Sequence, residues 1–91
     1  MKITQMIVKG KVQGVFFRAN TQKKATLLGL KGYVRNLENG DVQVIASGAD
    51  EKIDILLDWI NRSPEGAEVH DIELKTFDID KEFKKFSIRK D

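Results

Sequence analysis

The chain of 91 residues has no cysteine, a single histidine (His70) and a single proline (Pro64). Without cysteine it can form no disulfide, no thiolate metal site and no cysteine nucleophile. A lone histidine also excludes a multi-histidine metal site. Histidine-based acid–base chemistry would therefore have to depend on His70 itself.

Long hydrophobic runs are absent as well. No stretch approaches the roughly 18 consecutive apolar residues that a membrane-spanning helix needs. The first nine residues, MKITQMIVK, are too short and too interrupted for a signal peptide. The length predicts one domain over residues 1–91. We expect a cytoplasmic protein that makes no membrane contact.

Charge is unevenly distributed, although the net charge is only +2. Residues 1–48 hold eight Lys/Arg and two acids, a net of +6, while residues 49–91 hold eight Lys/Arg and twelve acids, a net of −4. An anionic ligand would favour a site built from the first half. A chance asymmetry on solvated faces explains the counts equally well, so charge alone leaves the choice open.

Hydrophobic periodicity predicts the secondary structure. Apolar and polar residues alternate over 3–12, which indicates a strand, and helical spacing follows over 17–29 with Gly29 as the C-terminal cap. Strands over 31–36 and 41–48 would form a hairpin around Asn39-Gly40. An amphipathic helix over 50–62 would begin at Asp50 as its N-cap. Further strands are predicted over 69–77 and 84–89.

This β-α-β-β-α-β order predicts an α+β fold. Two helices and a mostly antiparallel sheet suit a two-layer ferredoxin-like sandwich, with both helices on one face. That architecture hosts many functions, so function has to be argued from a site.

The junction between the first strand and the first helix, residues 10–18 (GKVQGVFFR), is the most informative segment. A glycine-bracketed turn can direct consecutive main-chain N–H groups into one hollow, and a helix N-terminus adds further N–H groups and partial positive charge. Arg18 could reach back with a planar guanidinium that matches phosphate oxygens. From these residues alone, a plain turn with a solvated Arg18 remains open. No Lys-Ser/Thr pair follows, so this is not a Walker loop.

Two longer patterns carry a family resemblance. Residues 8–18 (VKGKVQGVFFR) resemble the first signature of the acylphosphatase family, and residues 32–42 (GYVRNLENGDV), closed by Gly48, resemble the second. Neither stretch departs from its pattern, and the resemblance extends over the whole chain. The last two residues, Lys90-Asp91, differ from the aromatic ending of many members. Two long patterns in the right order are far more specific than a lone glycine loop.

The resemblance implies an enzyme that hydrolyses the carboxyl-phosphate bond of acyl phosphates to carboxylate and inorganic phosphate. It implies an enzyme that uses no metal and no cofactor and that binds a small-molecule acyl phosphate, inorganic phosphate or other anions. A monomer is our default expectation. The Arg18 guanidinium and loop amides would hold the phosphoryl oxygens, and Asn36 would position the attacking water. The amides implied are those of Gln13, Gly14, Val15, Phe16 and Phe17.

The chemistry of the substrate fits that division of roles. The leaving group is a carboxylate whose conjugate acid has a pKa of about 4, so it departs without a general acid. A loose phosphoryl-transfer transition state asks little of the nucleophile. As a hypothesis, an oxygen of the phosphate accepts the proton of the water.

Two alternatives come from other functional classes. RNA-recognition domains share the predicted element order, but they stack bases on aromatics of the first and third strands, and residues 3–12 and 41–48 contain none. We therefore expect no nucleic-acid partner. A non-catalytic phosphoanion-binding relative is the second alternative, against which the presence of both Arg18 and Asn36 argues. Without the resemblance, Asn36 would be interpreted as a cap at the end of a strand. We expect the side chains of Phe17 and Tyr33 to lie in the core.

Overall fold

The computed structural model describes residues 1–14, 16–64 and 66–90. The elements in chain order are β1 (Lys2–Lys11), α1 (Phe17–Leu27), β2 (Lys31–Asn36), β3 (Val42–Ser47), α2 (Asp50–Asn61), β4 (Glu68–Asp78) and β5 (Phe86–Arg89). The strands form one sheet in the order β4-β1-β3-β2-β5. Every neighbouring pair is antiparallel except β2 and β5. Within the described ranges, no helix has the length and apolar character of a membrane span.

The core lies between one face of this sheet and both helices. Alternation along the strands places Met6 and Val8 of β1 on that face, level with Val44 and Val42 of β3. Each helix buries residues at a spacing of three or four, which is one face of an α-helix. These helical residues are Phe17, Thr21 and Ala25 of α1, and Ile53, Leu56 and Ile60 of α2. The predicted two-layer α+β fold is confirmed.

The helix ends differ slightly from the predicted ones. The first helix ends at Leu27, where Leu30 N donates to Ala25 O (2.9 Å) and Gly29 N donates to Thr26 O (3.0 Å). This pair of bonds is the Schellman motif, with Gly29 just beyond the cap as the sequence predicts. The prediction of Asp50 as an N-cap is wrong. Ala49 takes the extended cap conformation, and Asp50 is instead the first helical residue, where its charge favours the positive end of the helix.

The predicted hairpin between β2 and β3 is confirmed. Its neck is closed by Leu37 N donating to Asp41 O at 2.8 Å, and its tip contains Glu38, Asn39 and Gly40. The side chain of Asn39 accepts a hydrogen bond of 3.0 Å from Asp41 N, which fixes the turn from inside. The hairpin places Asn36, the last residue of β2, beside the turn.

The C-terminal segment forms the strand predicted over residues 84–89, with a start two residues later. Residues 86–89 form β5 at the edge opposite β4, parallel to β2, with Val34 level with Ile88 and Arg35 level with Arg89. Residues 79–85 connect the two edges. The connection brings Phe83 to the sheet face that carries no helix, where its ring meets Tyr33 edge to face at 5.9 Å.

Tyr33 is therefore not part of the main core, contrary to expectation. It is half-buried and lies on the helix-free face, because its position in β2 alternates with the buried Val34. Ile3 and Ile45 on the same face are both 2 % exposed. The helix-free face thus has a small apolar cluster of its own. His70 is exposed on the edge strand β4.

Candidate active site

A cavity of about 310 Å³ lies where the β1–α1 loop, the end of β2 and the end of β5 meet. It brings together Arg18 and Asn36, the two side chains that the family resemblance predicts to bind the phosphoryl group and to position the water. The loop contributes most of the remaining wall, and the last strand closes one side. The described residues that line the cavity are Val12, Gly14, Phe16, Phe17, Arg18, Ala19, Asn36, Ile88 and Lys90.

The loop has an unusual backbone on both sides of Val15, which itself lies outside the described residues. Gly14 has φ of 75° and Phe16 has φ of 60° with ψ of 19°, so both lie in the left-handed region. Residues in this conformation occur in the amide nests that bind anions. Phe16 also adopts it without being glycine, which costs free energy and is found most often at functional sites. The Phe16 side chain is 82 % exposed at the rim.

The start of α1 is open to a ligand. Phe16 occupies the N-cap position, and no side chain caps this end. The first helical hydrogen bond runs from Asn20 N to Phe16 O at 3.0 Å, so the N–H groups of Phe17, Arg18 and Ala19 precede the helical ladder. The first turn contains no acid that would cancel its partial positive charge. This end of the helix therefore favours an anion.

Arg18 is half-buried and held from the far end of the chain. Its Nη1 donates a hydrogen bond of 3.1 Å to the main-chain oxygen of Arg89 in β5. A guanidinium has five N–H donors in a fixed plane, and this is the one hydrogen bond that it makes to the described residues. The hydrogen bond restrains the guanidinium and leaves its other donors for a ligand in the cavity.

Asn36 lines the cavity and carries an unpartnered polar atom. Its Oδ1 is buried and accepts no hydrogen bond from any residue that the structure describes. A buried polar atom without a partner costs about 1–3 kcal/mol, so such atoms are rare and need an explanation. The interpretation of Asn36 as a mere strand cap supplies none, because a cap would use this oxygen to accept a main-chain N–H.

Comparison with known proteins decides the family. A family model described as Acylphosphatase matches residues 4–88. The chain is 41 % identical over 91 residues to an acylphosphatase of Methylococcus capsulatus, covering 100 % of this chain and 99 % of that protein. It is 43 % identical over 88 residues to an acylphosphatase of Vibrio parahaemolyticus, covering 97 % of each. This chain belongs to the acylphosphatase family.

Solved structures agree with the sequence comparison. The crystal structure of acylphosphatase from Bacillus subtilis superposes with a TM-score of 0.91 at 29 % identity, covering 98 % of this chain and 99 % of that one. An acylphosphatase from Coxiella burnetii gives 0.89 at 38 % identity, covering 97 % and 92 %. The chain is thus an acylphosphatase-type enzyme, a hydrolase acting on acid anhydrides.

Within this acylphosphatase fold, Gln13 has a structural role that the sequence does not reveal. Its Nε2 donates to Leu37 O at 2.9 Å and to Asp41 O at 2.8 Å, the two carbonyls at the neck of the hairpin. The side chain therefore ties the loop to the hairpin that carries Asn36. The sequence predicts a role only for the main-chain amide of Gln13, as a phosphate ligand, because a contact between residues so distant in sequence leaves no local pattern.

The sequence also does not reveal two groups at the C-terminal end of this acylphosphatase fold. One is the main-chain oxygen of Arg89, which accepts the hydrogen bond from Arg18, and the other is the exposed Lys90, which lines the cavity. Arg89 ends β5 and Lys90 follows it, so the position of both depends on the parallel pairing of β5 with β2. Hydrophobic alternation indicates that a strand exists but not which neighbour it pairs with, so no signal in the sequence predicts them.

Proposed function

We propose that this chain hydrolyses small-molecule acyl phosphates, with the phosphoryl group held by Arg18 and the loop amides and the attacking water positioned by Asn36. The observation that carries the proposal is the single cavity that both side chains line. In-line displacement needs the attacking water and the leaving carboxylate on opposite sides of one phosphorus atom, with the phosphate-binding groups on its equatorial oxygens. A cavity lined by both side chains can provide the water-positioning group and the phosphate-binding group around that atom.

The phosphoryl group would lie against the loop and the start of α1. The left-handed backbone at Gly14 and Phe16, the uncapped first turn and the Arg18 guanidinium all favour negative charge in the same place. The amides assigned to this task are those of Gln13, Gly14, Val15, Phe16 and Phe17. Main-chain donors of a folded loop would stabilise charge on the phosphoryl oxygens without reorganising during the reaction.

Asn36 would hold the water. A half-turn of its carboxamide exchanges Oδ1 and Nδ2, so the side chain can turn its free acceptor toward the cavity and take a hydrogen bond from a water there. The water oxygen then bonds to phosphorus as the bond between phosphorus and the acyl oxygen breaks. The water proton passes to a phosphoryl oxygen, and the products are a carboxylate and inorganic phosphate.

No protein acid, base or metal enters this scheme. A carboxylate leaving group needs no proton, and a loose transition state needs no strong nucleophile. Among the described residues that line the cavity there is no carboxylate and no imidazole, which agrees with a reaction driven by positioning and electrostatics. Inorganic phosphate and similar anions would bind at the same site. The enzyme would be a cytoplasmic monomer formed by one domain over residues 1–91.

The experiment is an assay of benzoyl phosphate hydrolysis by the purified chain, before and after exhaustive treatment with a chelator. Hydrolysis that survives the chelator supports the reaction and the metal-free scheme together. Loss of activity that added Mg²⁺ or Zn²⁺ restores would exclude the metal-free scheme. If the unmodified chain hydrolyses benzoyl phosphate no faster than the Arg18→Ala variant does, the assigned site is excluded.

A further inference from the structure

A second cavity of about 310 Å³, which we call the sheet-face pocket, lies on the helix-free face of the sheet. It is bounded by Tyr33 of β2, Gln43 of β3 and the connection over residues 79–85, which contributes Phe83. It shares no described residue with the lining of the catalytic cavity. Its volume corresponds to roughly ten water molecules at their share of liquid volume, which is enough for a small organic ligand.

The floor of the sheet-face pocket contains a directed chain of side-chain hydrogen bonds. Arg35 Nε donates to Gln43 Oε1 at 2.6 Å, and Gln43 Nε2 donates to Gln5 Oε1 at 2.8 Å. A guanidinium can only donate, so Arg35 fixes the orientation of the Gln43 amide, which in turn fixes that of Gln5. Gln5 Nε2 donates to none of the described residues. It is therefore a donor for a ligand, and the chain behind it strengthens that donor.

Two cations also line the sheet-face pocket. The Arg89 guanidinium lies 3.7 Å from the centre of the Tyr33 ring, and Lys81 Nζ lies 5.5 Å from the centre of the Phe83 ring. The two rings contact each other edge to face, so both cations belong to the same end of the pocket. Neither makes an ion pair with a residue that the structure describes. Ring faces hold them in place of carboxylates, which leaves their charge for an anion.

Strand order separates the amide donor from the cations. β1 carries Gln5 and β5 carries Arg89, with β3 and β2 between them, so their backbones lie roughly 14 Å apart at about 4.8 Å per strand. Ile45 of β3 is level with both Gln5 and Tyr33 and therefore lies between the two ends. The pocket thus has a donor end, an apolar middle and a cation end, and one carboxylate cannot contact both ends.

Charge and shape together define the ligand. The described lining contains no acid, because Asp80 and Glu82, which flank Lys81 in the chain, border a separate hollow. Ile3 and Phe77 add apolar surface to the walls. An anionic group suits the cation end, a hydrogen-bond acceptor suits the amide end, and a flat apolar body suits the space between them. An aromatic carboxylate with an acceptor on the opposite side of its ring provides all three in few atoms.

We propose that the sheet-face pocket binds a small aromatic carboxylate that carries a hydrogen-bond acceptor opposite the carboxylate. The carboxylate lies at Arg89 and Lys81, the ring packs over Ile45, and the acceptor takes a hydrogen bond from Gln5 Nε2. This binding site goes beyond the proposed function and involves no acyl phosphate chemistry. Because Lys81 is exposed, its share of the affinity is modest and sensitive to salt.

The test is an NMR titration of the isotope-labelled chain with 4-acetylbenzoate, whose ketone oxygen is the acceptor. Among comparison ligands, 4-acetylbenzamide removes the charge and benzoate removes the acceptor. The Lys81→Gln variant removes one cation of the pocket. Gln5→Glu keeps an oxygen that accepts from Gln43 and replaces the donor by a negative charge. Lys84→Gln is the control, because it removes the same charge from the same connection without lining the pocket.

We expect 4-acetylbenzoate to shift the side-chain amide signals of Gln5 and Gln43. Gln5→Glu should weaken binding at least about tenfold, since it removes a donor and adds a repelling charge. Lys81→Gln should weaken it about two- to fivefold at low salt, and Lys84→Gln should leave it unchanged. The neutral amide should bind about tenfold more weakly than 4-acetylbenzoate, and benzoate about threefold more weakly.

Equal affinities for 4-acetylbenzoate and its neutral amide would overturn the proposal, and this comparison needs no variant. Unchanged affinity in a folded Gln5→Glu variant or in Lys81→Gln would overturn it as well. Shifts confined to the main-chain amides of Gly14 and Phe17 would place the ligand in the catalytic cavity, with the same consequence. Each of these results would leave the proposed function intact, because the two cavities share no described residue.

Discussion

Arg18 Nη1 donates a hydrogen bond of 3.1 Å to the main-chain oxygen of Arg89, a residue 71 positions later in the sequence. The Arg89 guanidinium in turn lies 3.7 Å from the centre of the Tyr33 ring on the helix-free face, and Tyr33 contacts Phe83. The strand that holds Arg18 is therefore itself held by a stack on the opposite side of the sheet. Packing on a face remote from the cavity thus bears on the position of Arg18.

Removing the stack should loosen the phosphate site without removing any group from it. We expect Tyr33→Leu to raise the inhibition constant for inorganic phosphate by about five- to tenfold, since a cation–π contact is worth about 0.5–2 kcal/mol. The value of kcat should change less. Tyr33→Phe keeps the ring and should behave like the unmodified chain. Equal behaviour of the Leu and Phe variants in phosphate titrations would show that the stack does not position Arg18.

Substitution of Arg18 itself should lower activity far more than substitution of Tyr33. We expect Arg18→Ala to lower kcat/KM for benzoyl phosphate by at least about 10³-fold, the range found when a transition-state arginine is removed in phosphoryl transfer. Arg18→Lys should recover little of this, because an ammonium cannot reproduce the planar fork of donors. Steady-state kinetics give kcat/KM for both variants, and circular dichroism checks that each is folded. Near-normal hydrolysis by Arg18→Ala at low substrate would exclude the role as a phosphate clamp.

The loop backbone can be tested with two matched glycines. Gly14 and Gly29 have φ of 75° and 73°, and a Cβ added at either would meet nothing within 4 Å. Alanine at each should therefore cost a similar amount of stability, about 1–2 kcal/mol for a left-handed residue. Only Gly14→Ala should also weaken phosphate inhibition, because only Gly14 lines the cavity. Urea unfolding and phosphate titration of the two variants provide the comparison. Equal phosphate affinity in both would argue against the loop amides as ligands.

Thr21 contrasts with Asn36. Its hydroxyl is also buried without a described hydrogen-bond partner, but it lies within the core face of α1 and does not line the cavity. We expect Thr21→Val to stabilise the fold by about 1 kcal/mol, which corresponds to a rise in Tm of roughly 4–8 °C for a domain of this size. Activity should be unchanged. A fall in Tm on calorimetry would mean that the hydroxyl has a partner such as an enclosed water.

Local chemistry explains which parts of this structure the sequence predicts. The start of α1 at Phe17, the Gly29 cap and the β2–β3 hairpin depend on neighbouring residues, and all three are observed. The position of Tyr33, the parallel pairing of β5 and the Gln13 contact with the hairpin depend on residues far apart in the chain. Periodicity does not encode such contacts, so the sequence predicts the two principal side chains of the cavity but not what holds them in place.

The most direct test of the assigned site is the Asn36→Ala variant, measured for both kcat and inorganic phosphate inhibition. If Asn36 positions the water, kcat on benzoyl phosphate should fall by about 10²–10³-fold, as when one preorganised group is lost from an active site. The phosphate inhibition constant should stay within about twofold and Tm should not fall, because the substitution removes an unpartnered acceptor. A variant that keeps its turnover, or that loses turnover and phosphate binding in equal proportion, would contradict the assignment.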